Sequence, residues 1–204
     1  MTIQPGQINT RQRILDEAQK IITRRGYTAV GISEFLKQVQ VPKGSFYHWF
    51  DSKDSFGVAV IDNYFIGYLQ TIDQVIDQPT SGADRLFEYW QIFYEMQSFE
   101  NCLGKCLVVK LGAEVADLSE AMRLALIDGT NNVIERIARM IQSGTDDGSI
   151  VPVDEPHDTA RLLYDSWIGA SVMAKIARDT RPLDLAMKMT RDQLRREPAH
   201  PATP

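Results

Sequence analysis

The chain has 204 residues, 44% of them hydrophobic and 24% charged, which supplies enough apolar material for a core and excludes wholesale disorder. Its 22 Lys and Arg stand against 27 Asp and Glu, and the resulting −5 argues, as a total, against a uniformly basic nucleic-acid binder. No run approaches the roughly 18–20 apolar residues of a membrane span, the N-terminal MTIQPGQINTRQR has no apolar leader core, and two cysteines are too few for a disulfide scaffold, so a soluble cytoplasmic chain with no membrane partner is expected.

In chain order, Ile14, Leu15, Ala18, Ile21 and Ile22 fall on one helical face, with Thr10 expected to cap the start and Gly26 to end it in a left-handed turn. Ile32, Phe35, Leu36 and Val39 predict a second, shorter helix. Pro42 interrupts it, and a third helix at about 43–50 turns Phe46 and Phe50 inward. A longer helix is expected at about 52–77. Breakers at 79–82 precede further helices at about 82–100, 104–115, 118–143, 156–179 and 182–196. The tail REPAHPATP carries three prolines and is expected to fray. No period-two alternation is sustained, so the fold is expected to be all-α.

Splitting the charge by region changes its meaning. Residues 1–60 hold eight Lys and Arg against five Asp and Glu (+3), and residues 61–204 hold fourteen against twenty-two (−8). A small basic unit therefore precedes a larger acidic one.

The sharpest local pattern is ISEFLKQVQVPKGSFYHWFDSKDSF at 32–56. Two short helices meet at a tight turn. The second has Phe46 and Phe50 beneath and Lys43, Gly44, Ser45, Tyr47, His48 and Trp49 around it. A helix that enters the major groove needs this division between an apolar underside and a hydrogen-bonding top. Lys53 falls where the next helix begins, and unpaired N–H groups there attract phosphate. The alternative is an ordinary three-helix cluster with an aromatic core.

The segment from Ile14 to Phe56 resembles the DNA-binding domain of the TetR family of transcriptional regulators. The resemblance is carried by Gly26-Tyr27, Ile32, Val41, Gly44, Tyr47, Phe50, Lys53 and Phe56. It implies an N-terminal three-helix helix-turn-helix domain, residues 1–52, and a C-terminal helical ligand-sensing and dimerisation domain, residues 53–204. It further implies that Lys43, Gly44, Tyr47 and His48 lie at the operator, with Ser45 and Trp49 beside them and Thr28 and Lys53 on phosphates. Two departures bear on base preference: Pro42 stands where the family has a capping Ser or Thr, and Trp49 where a His often precedes the Phe. A single head binds weakly, so a homodimer on palindromic operator DNA is expected. Leu163, Trp167, Ile168, Val172 and Met189, on the last two helices, are the expected interface; their other reading is internal core.

In the acidic block, Trp90, Phe93 and Tyr94 are candidates for a ligand pocket, with plain core as the alternative. Catalysis finds no Gly-rich phosphate loop, and His48, His157 and His200 are scattered, so neither an enzyme nor a cofactor nor a metal site is expected. Cys106 differs in kind. Lys105 and Lys110 flank it, and Gly104 suggests that a helix starts there; both features favour the thiolate. The alternative is a small buried hydrophobe.

The pieces KGSFYHWF (43–50), FGVAV (56–60), CLVVKLGAEVADLSEAMR (106–123) and WIGASVMAKIAR (167–178) resemble a subgroup of that family, the NemR-like repressors that respond to reactive electrophiles and oxidants. This resemblance implies a sensing role for Cys106 and a basic partner in Lys175, with Cys102 less securely matched as a resolving thiol. A small electrophile or oxidant would then release the repressor from DNA. The alternative inducer is a reversibly bound organic ligand.

Overall fold

The computed structural model describes residues 5–195, with side chains described from Thr10 onward. Among these residues nine helices form: α1 (Pro5–Arg25), α2 (Ile32–Gln38), α3 (Lys43–Trp49), α4 (Lys53–Ile76), α5 (Gly82–Cys102), α6 (Leu107–Ala116), α7 (Glu120–Asp146), α8 (Pro156–Ala177) and α9 (Arg181–Leu194). The only β pairing among them is an isolated bridge between Ile150 and Arg195. The all-α expectation holds. The proline-rich tail at 196–204, with His200, lies outside the described residues.

One helix boundary needs correction. α1 begins at Pro5, so Thr10 lies inside it and does not cap its start. A proline at the first helical position loses only an N–H that would be unpaired there, which makes it a better start than Thr10. The other end is as read: Gly26 adopts φ +88° and its N–H reaches the Ile22 carbonyl at 2.8 Å.

The described residues form two compact units, one from residues 5–70 and 105–131, the other from 71–104 and 132–195. The division falls inside α4 and α7.

The first unit is built around aromatic side chains of its short helices and the start of α4. Phe35, Phe46, Phe50 and Phe56 are all buried, and their rings pack with centroids 5.1–5.5 Å apart. Each such ring contact adds roughly 0.5–1.5 kcal/mol beyond simple area burial. Ile14, Leu15, Ala18 and Ile22 of α1 are buried, as are Leu107, Leu111 and Val115 of α6. The α2–α3 turn closes with Val41 N–H on the Leu36 carbonyl at 3.0 Å, which puts Gln40 at φ 55°. α4 starts with reciprocal capping: Ser52 and Ser55 each accept the other's backbone N–H at 3.0 Å.

In the second unit α8 packs between α5 and α9. Trp167 of α8 stacks on Trp90 of α5, 4.7 Å between centroids and 8° from parallel, with Phe93 edge-on at 5.7 Å. The Trp167 indole Nε1 donates to Thr190 Oγ1 at 3.0 Å, tying α8 to α9. Gly82 of α5 lies against Gly144 of α7 so closely that a Cβ at Gly82 would fall 2.1 Å from the Gly144 backbone nitrogen. α5 is regular only to Ser98. Glu100, Asn101 and Cys102 then take φ of 48°, 57° and 62°, a left-handed run uncommon for residues with a Cβ.

Candidate nucleic-acid interface and sensor helix

The surface of α3 divides as a groove-reading helix requires. Phe46 and Phe50 are buried, while Lys43, Gly44 and His48 are exposed, Tyr47 is 44% exposed, and Ser45 and Trp49 are half-buried at the flanks. Lys43 Nζ lies 5.8 Å from the Tyr47 ring centroid, and the His48 and Trp49 rings meet edge-to-face at 4.8 Å. Pro42 occupies the N-cap with φ −61°, and no side chain caps α3. The backbone therefore supplies the starting geometry that a Ser or Thr would otherwise reinforce.

Lys53 opens α4, half-buried, with its ammonium 4.8 Å from the Tyr27 ring centroid. The Tyr27 hydroxyl donates to the Lys53 carbonyl at 2.6 Å. Burial, aided by the charge of Asp54, raises the Tyr27 pKa, so this phenol remains a donor. The α1–α2 turn and the start of α4 are thereby fixed to each other.

Thr28 is exposed, but its donors are already engaged. Its backbone N–H reaches Glu114 Oε1 at 2.6 Å, its hydroxyl donates to the same oxygen, and Tyr27 N–H reaches Oε2 at 3.1 Å. Burial pushes the Glu114 carboxyl upward, but the Thr28 and Tyr27 donors and the charge of Lys110 outweigh it, so its pKa is lowered. Sequence reading does not find Glu114. It is one acidic residue among several on an amphipathic helix, and its partners lie more than eighty residues away.

Cys106 takes the N-cap position of α6, with φ −72° and ψ 119°, and its carbonyl accepts the Lys110 N–H at 3.2 Å. The helix start inferred from Gly104 is thus present, and the positive end of α6 lies at this residue. Both cysteines are nevertheless 3% exposed, and neither forms a disulfide. Cys102 is chemically unlike an activated thiol. Burial raises its pKa, Asp179 and Asp184 act in the same direction, and only Arg178 opposes them. Lys175 lies half-buried in the last turn of α8.

Of the candidate pocket residues, Trp90 and Phe93 are wholly committed to the core against Trp167. Tyr94 instead reaches an open surface groove lined by Gln91, Asp184, Met187, Lys188 and Arg191, and its hydroxyl donates to Asp184 at 2.7 Å. The expected interface set also divides. Leu163 and Trp167 are internal to the chain: both are buried within it and offer no surface for a partner. Ile168 is half-buried, while Val172 and Met189 are exposed. Leu162, Met173, Ile176 and Leu185 join these last two in an exposed apolar set on α8 and α9, Ile176 reaching 70%. A one-residue step on a helix turns the side chain by about 100°, which is why Leu162 faces out and Leu163 in.

Known proteins share this arrangement. Residues 14–60 match the family described as bacterial regulatory proteins, tetR family, and residues 82–190 match the tetracyclin repressor-like C-terminal domain. The HTH-type transcriptional repressor NemR of Escherichia coli is 37% identical over 180 residues, 88% of this chain and 90% of that protein. The transcriptional regulator AcuR of Cereibacter sphaeroides is 31% identical over 84% of this chain and 79% of its own length. The crystal structure of reduced E. coli NemR superposes with a TM-score of 0.88 at 36% identity, covering 94% of this chain and all of the other. Family matches at both the reading head and the helical body, together with a relative well above 30% identity along most of the length, lead to one conclusion: this chain belongs to the tetR family of bacterial regulatory proteins.

Proposed function

We propose that the protein is a cytoplasmic, homodimeric transcriptional repressor that binds a palindromic operator and is released when a reactive electrophile or oxidant modifies Cys106. In this reading residues 1–52 read DNA through Lys43, Gly44, Ser45, Tyr47, His48 and Trp49, with Lys53 on phosphate. Residues 53–204 sense the inducer and dimerise through the exposed apolar residues of α8 and α9. The observation that carries the DNA-binding part is the divided surface of α3, apolar beneath and polar above. Similarity to a protein named as a repressor, NemR, supports the sign of regulation.

The sensing step rests on Cys106 at the positive end of α6. Its thiolate sulfur adds to the β-carbon of an unsaturated carbonyl or a quinone. The displaced electron pair moves to the carbonyl oxygen, and a proton from water completes the adduct. With hypochlorous acid the sulfur is oxidised to the sulfenic acid and chlorine leaves as chloride. In either case a side chain packed beside the buried Leu107 gains volume, which a close-packed interior does not accept without moving the helix.

Operator binding, measured by fluorescence anisotropy before and after N-ethylmaleimide, tests this in the native chain and in Cys106→Ser. Release of the native protein alone is expected; equal release of both would overturn the covalent step. The burial of both thiols favours a second reading, in which a small organic acid binds reversibly with Lys175 as its counter-charge. Dialysis distinguishes the two, since it restores DNA binding only if no adduct has formed.

A further inference from the structure

The geometry points to Glu114 as a positioning residue for operator binding, one that acts from α6 through Thr28 and Tyr27 on the α1–α2 turn of the reading head. This inference rests on the DNA-binding reading above and reassigns Thr28. By resemblance Thr28 belongs on a phosphate, yet its N–H and its hydroxyl both already donate to Glu114 Oε1.

Three features show a built contact. The two carboxylate oxygens collect three donors, Tyr27 N–H, Thr28 N–H and Thr28 O–H, and charge-assisted bonds of this kind are about twice as strong as neutral ones. Room for the carboxylate depends on Gly26, where a Cβ would stand 2.8 Å from Glu114 Oε2. The turn so gripped is in turn bonded to α4, through the Tyr27 hydroxyl on the Lys53 carbonyl. A displacement of α6 therefore pulls on the residues from which α2 departs and α4 begins.

Glu114 lies eight residues beyond Cys106, about 12 Å along the helix at 1.5 Å per residue. One rigid helix thus carries the proposed sensor at its start and the link to the reading head near its end. The rest of α6 is held by the burial of Leu107, Leu111 and Val115, so the carboxylate is its polar tie to the α1–α2 turn.

The test is a double-mutant cycle on operator affinity at a temperature well below melting, with circular dichroism melts to confirm folding. Glu114→Ala, which removes the acceptor of all three bonds, is expected to weaken operator binding roughly tenfold, Thr28→Val, which removes only the hydroxyl bond, to weaken it less, and the double variant to be no weaker than Glu114→Ala alone. Thr28→Ser, which keeps both donors, should restore wild-type affinity. Thr28 is exposed and Val is isosteric with it, so Thr28→Val keeps the test meaningful should Glu114→Ala not fold.

Additive losses would mean that Thr28 contacts DNA independently of Glu114, as a residue gripping a phosphate would, and would overturn the assignment. Tighter binding by Glu114→Ala would overturn it too, since the carboxylate would then be a competitor of DNA. A wild-type protein that binds no palindromic DNA fails the underlying reading instead. N-ethylmaleimide adds a second arm. Release of the wild type but not of Glu114→Ala supports this route, equal release of both overturns it, and release of neither counts against the electrophile step alone.

Discussion

Replacing Trp167 by Ala asks whether the α5–α8–α9 contact is internal to one protomer. The indole is fully buried, stacked on Trp90 at 4.7 Å, edge-on to Phe93, and hydrogen-bonded to Thr190. Removing a buried Trp typically costs about 3–5 kcal/mol, a large share of the roughly 5–15 kcal/mol that holds most domains folded. Trp167→Phe keeps a ring but loses the Nε1 bond, for about 1–2 kcal/mol. The loss stays small because Thr190 Oγ1 still donates to the Ala186 carbonyl at 2.8 Å. Urea denaturation at two protein concentrations separates this internal cost from a loss of dimer. The Trp167→Ala penalty should not depend on concentration, whereas Ile176→Asp, on the exposed face of α8, should leave protomer folding intact and shift the sedimentation profile toward monomer. A Trp167→Ala variant of near-native stability that nevertheless falls apart into monomers would refute the reasoning and return Trp167 to the interface.

Other consequences are equally direct. Lys43→Glu and Lys53→Glu should each weaken DNA binding, and fluorescence titrations at several salt concentrations should show a slope reduced by about 0.9 for each phosphate that is no longer neutralised. Gly82→Ala should cost about 1–3 kcal/mol or more, since the new methyl meets Gly144 backbone and no flexible side chain can yield; a thermal melt equal to wild type would contradict that crossing. Glu114 has a lowered folded-state pKa, so its contribution to stability is full above the ordinary glutamate range and disappears as pH falls through the lowered value. The stability difference between wild type and Glu114→Gln, measured by denaturation across pH, should therefore shrink on acidification below about pH 4.

The net charge shows what a sequence average conceals. A −5 chain with a +3 segment at residues 1–60 is compatible with DNA binding if only one end approaches the polymer, and the aromatic underside of α3 is legible from the sequence because Phe46 and Phe50 sit four residues apart. Periodicity of this kind reports which face of a helix is apolar, and it places the helices because amphipathic burial is what forms them. It cannot say what covers that face. Leu163 and Trp167 are apolar at the same spacing whether the cover is Trp90 of the same chain or a second protomer, and only the packed structure assigns them to the interior while leaving Leu162, Val172 and Ile176 outside.

The two cysteines divide in the same way. The sequence alone determined that Cys106 stands beside two lysines at a helix start, because Gly104, Lys105 and Lys110 are its near neighbours along the chain. The tertiary structure decided that both thiols are buried and that Cys102 lies under the influence of Asp179 and Asp184, residues more than seventy positions away. Glu114 is the clearest case of the second kind. Its side chain acquires meaning only when α6 packs beside α1 and the turn after Gly26 offers three donors to one carboxylate. Local chemistry is written in neighbouring residues, whereas hydrogen bonds between distant segments exist only once the chain has folded.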